Sequence, residues 1–268
     1  MIDRGKRNLL GVAINAIDYE FAVARIIDAA RSGTRCATTA LAVHGVITGA
    51  RDRAHRYRLN TFELVTPDGQ PVRWGLNLLY GTKLDDRVYG PTMTLKVCHQ
   101  AALQELPVYF YGSSQETLDQ LCARLPEACP GLKIAGAQPS EFRLLSAEEQ
   151  ALVADRIRAS GAKILFVGLG CPRQEVFVYE MSRLLSMPVL AVGAAFDYHA
   201  GSLQEPPAVI QRYGLQWLYR FFQEPSRLWQ RYLLTNSQFV GLFLAQWLRL
   251  WRPELEDCDP PLAEVRFG

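Results

Sequence analysis

The segment Thr66-Pro-Asp-Gly69 places a carboxylate on a turn. Proline fixes φ, aspartate can bond its own backbone and glycine accepts a positive φ, so an ordinary turn is one interpretation. A carboxylate on a loop can also accept a proton from an attacking hydroxyl group. Asp68 is therefore a candidate general base.

A glycine turn, Gly168-Leu-Gly170, separates the apolar run at residues 163–167 from a helical pattern at residues 174–185. Backbone amides in such a turn can approach a phosphate, and the helix N-terminus favours negative charge. The segment is neither GxGxxG nor a P-loop, so the dinucleotide fingerprint is absent. Gly168, Gly170 and Gln174 are candidate nucleotide-binding residues, with a packing turn as the alternative.

Two further loops follow apolar runs. Gly112 ends the run at residues 107–111, and Gly193 opens a segment of small residues that also contains Asp197 and His199. Small residues after a strand permit close approach of a backbone or ligand. Gly112, Gly193 and Asp197 are candidate binding residues, with a helix cap and a surface histidine as the alternative.

Strand-like runs alternate with helical patterns up to residue 204, and Ser146 with Glu149 spells a capping box. This alternation predicts an α/β fold, a Rossmann-like and mainly parallel sheet flanked by helices, over residues 1–204. Ligands bind at the carboxyl ends of such strands. The three glycine loops are therefore predicted to share one rim.

Residues 205–252 are rich in arginine and aromatic side chains, and a helix is predicted to start near Pro225. The pattern predicts a helical appendage that docks on anionic lipid. Arg220, Arg227 and Arg231 could hold a diphosphate, because guanidinium matches phosphate bidentately. The alternative is a solvated arginine face over a packed stripe. Residues 253–268 read as an acidic, proline-containing, mobile tail.

Composition narrows the function class. The 268 residues are 49% hydrophobic with a net charge of +2, which predicts a globular protein and no nucleic-acid partner. Six cysteines without a CxxC pair predict reduced thiols in the cytoplasm. No signal peptide and no run of about 18–20 apolar residues is found. The one Asp-x-Asp, Asp257-Cys-Asp259, lies in the tail, so no divalent metal is expected.

Six segments together resemble the WecG/TagA/CpsF family, glycosyltransferase family 26. In chain order they are PDG at 67–69, DRVYG at 86–90, YFYG at 109–112, VGLGCPRQE at 167–175, VGAAFDYHAG at 192–201 and GLQWLYRFFQEPSRLWQRY at 214–232. The resemblance covers most of the chain, from about Thr38 to Tyr232.

The resemblance implies inverting transfer from a UDP-sugar to a polyprenyl-diphosphate-linked saccharide, in bacterial surface or exopolysaccharide biosynthesis. It implies a Rossmann-like fold whose appendage docks peripherally on the inner face of the cell membrane and completes the site. By motif, Asp68 is the base, Thr39 and Arg87 join it, and Gln174 lies near the nucleotide. The appendage arginines are Arg220, Arg227 and Arg231. UDP-sugar is a substrate, and no cofactor is required.

Two departures leave the donor open between a hexose, an N-acetylhexosamine and a uronic acid. Thr39-Ala-Leu41 lacks the family's asparagine, and Glu205-Pro-Pro207 replaces Arg-Ala-Pro. Oligomeric state also stays open. Two alternative functions remain at this point, a nucleotide-cofactor oxidoreductase and a non-catalytic membrane-surface scaffold.

Overall fold

A computed structural model describes residues 1–223 and 225–268, with the backbone alone at positions 208, 225 and 227–233. The chain begins with an antiparallel hairpin of β1 (Asp3–Leu9) and β2 (Val12–Ile17). This hairpin joins the main sheet through Asn15, whose side-chain oxygen accepts the Val65 N–H at 2.8 Å. The sequence patterns did not predict it.

The main sheet has six strands, and every pairing in it is parallel. Its order is β4-β3-β8-β7-β5-β6. The strands are β3 (Cys36–Leu41), β4 (Leu64–Pro67), β5 (Val108–Gly112), β6 (Ile134–Gln138), β7 (Ile164–Gly168) and β8 (Pro188–Ala191). Three strands separate β4 from β5, although the two are consecutive in the chain. Open sheets of this kind bind ligands in crevices outside the carboxyl ends of their strands.

Helices cover both faces of the sheet. They are α1 (Tyr19–Ser32), α2 (Val43–Arg51), α3 (Arg53–Thr61), α4 (Gln70–Tyr80), α5 (Gly90–Leu103), α6 (Gln115–Ala128), α7 (Ala147–Ala159), α8 (Arg173–Leu184) and α9 (Ala195–Ala200). The predicted capping box at α7 is confirmed, because Ser146 and Glu149 satisfy each other's backbone amides. The predicted α/β fold with a parallel sheet is confirmed.

Side chains along each strand point alternately to the two faces of the sheet, and they pack into an apolar core on each face. On one side, Phe110 stacks on Phe166 with ring centroids 5.4 Å apart, and Phe196 meets Phe110 edge-on. On the other side, Tyr111 stacks on Phe177 at 4.5 Å. Burying each ring contributes about 1.5–3 kcal/mol, and both cores lie directly beneath the loops of the site.

Three further helices follow at the C-terminal end: α10 (Ala208–Arg212), α11 (Gln216–Gln223) and α12 (Pro225–Trp247). The predicted helix start at Pro225 is confirmed. Phe239 of α12 is buried in the core. Gln246 bonds the hairpin, accepting from the Leu10 N–H at 3.0 Å and donating to the Asn8 carbonyl at 2.9 Å. No helix in the described ranges is long and apolar enough to cross a bilayer.

The C-terminal tail is bonded to the rest of the fold near both of its ends, and its mobility stays a prediction. Asn8 donates to the Pro253 carbonyl at 2.7 Å, and Arg56 donates to the Asp257 carbonyl at 2.7 Å. The carboxylates of Asp257 and Asp259 both pair with Arg53. The acidic residues that suggested a solvated tail therefore fix it to α3.

The end of the tail bonds the loop between β6 and α7. The Gly268 N–H donates to the Arg143 carbonyl at 2.9 Å, and the Leu145 N–H donates to the Arg266 carbonyl at 2.7 Å. Domain bounds at 204 and 252 stay a prediction, since helices and tail pack on the same cores.

Candidate active site

A cavity of about 780 Å³ lies at the carboxyl ends of β3, β4, β7 and β8. Residues that follow these strands form its floor, and Trp217 and Arg220 of α11 with Phe239 of α12 form its other side. The three glycine loops were predicted to lie on one rim of the sheet. The structure agrees, because Ser113, Gly168 and Gly193, one from each loop, all line this cavity. The helical appendage therefore completes the enclosure.

Asp68 follows β4 and lines the cavity. Gly69, at φ +92°, turns the chain into α4, so this segment forms the predicted turn. The Asp68 carboxylate is at the same time part of the cavity wall. Burial raises the Asp68 pKa from 3.8 to about 6, against the opposing effects of Arg87, the Gly90 N–H and Arg220. A carboxylate with this pKa is largely ionised at neutral pH and can also take up a proton.

Arg87 is 5% exposed and joins the α/β domain to the appendage. Its guanidinium donates to the side-chain oxygen of Gln216 and, at 3.1 Å, to that of Gln211. It also lies 4.2 Å from the centroid of the Tyr89 ring. Arg87 thus holds α10 and α11 beside the cavity while its charge acts on Asp68.

Two of the predicted glycines are required by packing. A Cβ at Gly168 would lie 2.6 Å from the Phe196 ring, and a Cβ at Gly112 would lie 2.7 Å from the Gly168 carbonyl oxygen. Gly112 also has φ +110°. Gly168 lines the cavity, whereas Gly112 lies beneath it and does not.

Gly170 has a positive φ of +74°, and no atom lies within 4 Å of the position its Cβ would occupy. It lines the cavity just before α8, so the backbone there is open to a ligand at a helix N-terminus. The predicted nucleotide-binding roles of Gly168 and Gly170 stay predictions.

Gln174 lines the cavity, yet both ends of its amide are bonded. Its oxygen accepts the Gly193 N–H at 3.0 Å, and its nitrogen donates to Glu175 at 2.9 Å. Gln174 therefore ties the loop after β8 to α8. Thr39 donates to the same Glu175 oxygen at 3.0 Å and is fully buried.

Thr39 is not among the residues that line the cavity. The structure gives it a place behind the site, where it orients Glu175. Its predicted catalytic role stays a prediction.

Asp197 lies in the first turn of α9 and lines the cavity. His199 is bonded through Nε2 to the Pro91 carbonyl at 2.9 Å, so its imidazole connects α9 to α5. Arg220 of α11 lines the cavity, and its guanidinium lies 5.9 Å from the Tyr198 ring centroid. The side chains of Arg227 and Arg231 lie outside the described part of the chain.

Gln70 and Gln216 were missed from the sequence, although both line the cavity and are over 90% buried. The Gln70 amide nitrogen donates to Asp86 at 3.4 Å, and the Gln216 oxygen accepts from Arg87. Each glutamine is the first residue of a helix, and its residue type alone gives no sign of a role in the site. Only the folded chain shows that both support the Arg87 segment.

One group of metal-type donors occurs among the described residues: His55, Cys171 and Glu175, with donor atoms within 4.8 Å of one another. Burial lowers the pKa of His55, against the opposing charge of Glu175. The group lies behind the floor of the cavity, and only Cys171 and Glu175 line it. The expectation that no divalent metal is required stays a prediction.

Comparison with known proteins agrees with this geometry. Residues 7–253 match the family described as Glycosyl transferase WecG/TagA/CpsF family. A relative from Bacillus spizizenii, an N-acetylglucosaminyldiphosphoundecaprenol N-acetyl-beta-D-mannosaminyltransferase, is 30% identical over 187 residues, which cover 69% of this chain and 70% of the relative. This chain belongs to the glycosyl transferase WecG/TagA/CpsF family.

Proposed function

We propose that this glycosyltransferase moves a sugar from a UDP-sugar to a polyprenyl-diphosphate-linked saccharide, with inversion of the anomeric centre. The observation that carries the proposal is Asp68, a cavity carboxylate whose pKa is raised to about 6 beside Arg87 and Arg220. The Bacillus relative is named for transfer to N-acetylglucosaminyldiphosphoundecaprenol, which supports a diphosphate-linked acceptor of this kind. The donor sugar is a hexose, an N-acetylhexosamine or a uronic acid.

In this mechanism, Asp68 takes the proton of the acceptor hydroxyl as its oxygen attacks the anomeric carbon. The carbon–oxygen bond to UDP breaks on the opposite face, and UDP leaves with the electron pair. General-base help of this kind contributes roughly 10²–10⁴-fold to the rate. A single displacement inverts the anomeric centre.

The departing diphosphate needs positive charge. Arg220 lines the cavity, and the N-terminus of α8 opens on it after Gly170. Guanidinium groups and helix-terminal amides stabilise developing negative charge. These groups supply that stabilisation without a metal ion, and Arg227 and Arg231 are proposed to add to it.

The appendage is proposed to dock on the cytoplasmic face of the cell membrane, in surface or exopolysaccharide biosynthesis. It presents large apolar side chains to solvent, including Val209, Leu215 and Phe222, which is 73% exposed. Exposed apolar groups next to arginines suit the boundary between headgroups and acyl chains. A protein held there meets a lipid-linked acceptor without crossing the bilayer.

The test is a transfer assay with UDP-sugars and a panel of polyprenyl-diphosphate mono- and disaccharides in vesicles. Transfer from one UDP-sugar, with a product of opposite anomeric configuration by NMR, is expected. Asp68→Asn should bind UDP as the native protein does and lose transfer, whereas Asp155→Asn, an exposed carboxylate on α7, should retain it. Retained transfer in Asp68→Asn, or a product with retained configuration, would overturn the mechanism.

A further inference from the structure

A second cavity of about 690 Å³ adjoins the first. Gln70, Arg87 and Tyr89 line both spaces and form the wall between them. Gln70 follows Asp68 by two residues, so the wall begins next to the proposed base. We call this second space the acceptor cleft, and its remaining lining includes Tyr19, Asp85, Asp86, Arg212 and Tyr213.

The acceptor cleft carries charges of both signs. Its carboxylates are Asp85 and Asp86, which are exposed, and Arg73, Arg87 and Arg212 supply positive charge. Carboxylate oxygens are strong acceptors for hydroxyl donors, and guanidinium groups match phosphate. The cleft therefore suits a ring rich in hydroxyl groups that is joined to a diphosphate.

The two carboxylates differ in how far they are already engaged. One Asp86 oxygen accepts the Arg87 N–H at 2.8 Å and the Gln70 amide at 3.4 Å, so Asp86 supports the shared wall. The Asp85 carboxylate accepts no hydrogen bond from any described residue. Asp85 can therefore accept from a ligand without breaking an internal bond.

Aromatic and cationic groups complete the cleft. The Tyr213 ring is 67% exposed, and a flat ring of this kind packs on the apolar face of a pyranose. Arg212 is exposed on α10, the same short helix that presents the apolar Val209. Its guanidinium lines the cleft and can bind a phosphate through two parallel hydrogen bonds.

We propose that the acceptor cleft binds the saccharide of the lipid-linked acceptor, with sugar hydroxyl groups on Asp85, a ring on Tyr213 and the diphosphate on Arg212. The inference rests on the proposed function and adds a second substrate site to it. The shared wall then presents the acceptor hydroxyl to Asp68.

The experiment compares Asp85→Asn and Tyr213→Ala with the native protein in the transfer assay, using the best acceptor of the panel. Both residues are exposed, so the variants should fold, and the melting temperature checks this. The KM for the acceptor should rise tenfold or more, while the KM for the UDP-sugar and the melting shift with UDP stay unchanged. Asp28→Asn, an exposed carboxylate on α1, is the matched control and should alter neither KM.

If native protein transfers sugar and both variants keep the acceptor KM within twofold, the cleft assignment is overturned while the proposed function stands. If native protein transfers nothing to any acceptor of the panel, the proposed function itself fails and the cleft assignment with it.

Discussion

Replacing Asp68 with asparagine should make the protein more stable and less active at the same time. Burial raises the Asp68 pKa from 3.8 to about 6. A carboxyl group with a raised pKa favours the folded state when protonated, below pH 3.8, and that contribution is lost as pH rises through 6. At 1.36 kcal/mol for each pH unit, the ionised carboxylate destabilises the fold by up to about 3 kcal/mol above pH 7.

Asparagine keeps the size of the side chain and removes the charge. The Asp68→Asn variant should therefore gain up to about 3 kcal/mol in free energy of unfolding at pH 8, or roughly 6–12 °C in melting temperature, and gain little at pH 4. Urea titrations of both proteins at the two pH values measure this difference.

Transfer should fall by about 10²–10⁴-fold in the same variant. In the native protein, kcat/KM should fall about tenfold for each pH unit below 6, because only the ionised carboxylate accepts a proton. A variant that is no more stable than native protein at pH 8, or a stability difference that does not change with pH, would refute the reasoning about burial.

The remaining predictions concern packing, the tail, the membrane and metal. Gly112→Ala should lower the free energy of unfolding by more than about 2 kcal/mol, because the new Cβ meets the β7 carbonyl oxygen at a positive φ; an unchanged urea midpoint would contradict this. Arg56→Met should destabilise by about 3 kcal/mol, since its buried guanidinium donates to the Gly49, Ala50 and tail carbonyls, whereas Arg53→Ala, on an exposed pair, should change the midpoint little. Phe222→Asp should weaken sedimentation with anionic vesicles and leave UDP binding intact; equal sedimentation of the two proteins would argue against docking through α11. Transfer should persist in EDTA, and a loss that added divalent ions restore would direct attention to His55, Cys171 and Glu175.

Much of the sheet could be predicted from the sequence, because most of its strands are short apolar runs and two of them end in glycine. Gly112 and Gly168 end β5 and β7 as expected, and the structure shows why glycine is needed there. The β1–β2 hairpin was missed because its first strand, DRGKRNL, is polar and mostly exposed. β4 was missed because its last two residues, Thr66 and Pro67, were assigned to the turn before Gly69, which left only two apolar residues.

The candidate site was only partly predictable. Sequence motifs indicated Asp68 and the glycine loops. A motif cannot distinguish a residue that contacts the ligand from one that holds such a residue in place. Thr39 illustrates this, since its hydroxyl orients Glu175 beneath the cavity. The contact of Arg87 with Gln211 and Gln216 joins positions more than 120 residues apart, and no local pattern encodes such a contact.

The two hydrogen bonds of Gln246 to the hairpin hold the C-terminal end of α12 in place, so a tilt of this helix would pivot there. The tail adds to that grip, because Asn8 also holds the Pro253 carbonyl. At 1.5 Å per residue, Phe239 in the cavity wall lies about 10 Å from the fixed end, and the start of the helix lies about 32 Å from it. A tilt of about 10° would then shift the wall by roughly 2 Å and the helix start by roughly 6 Å. The width of the catalytic cavity therefore depends on how Gln246 is bonded to the hairpin, although these bonds lie outside the cavity.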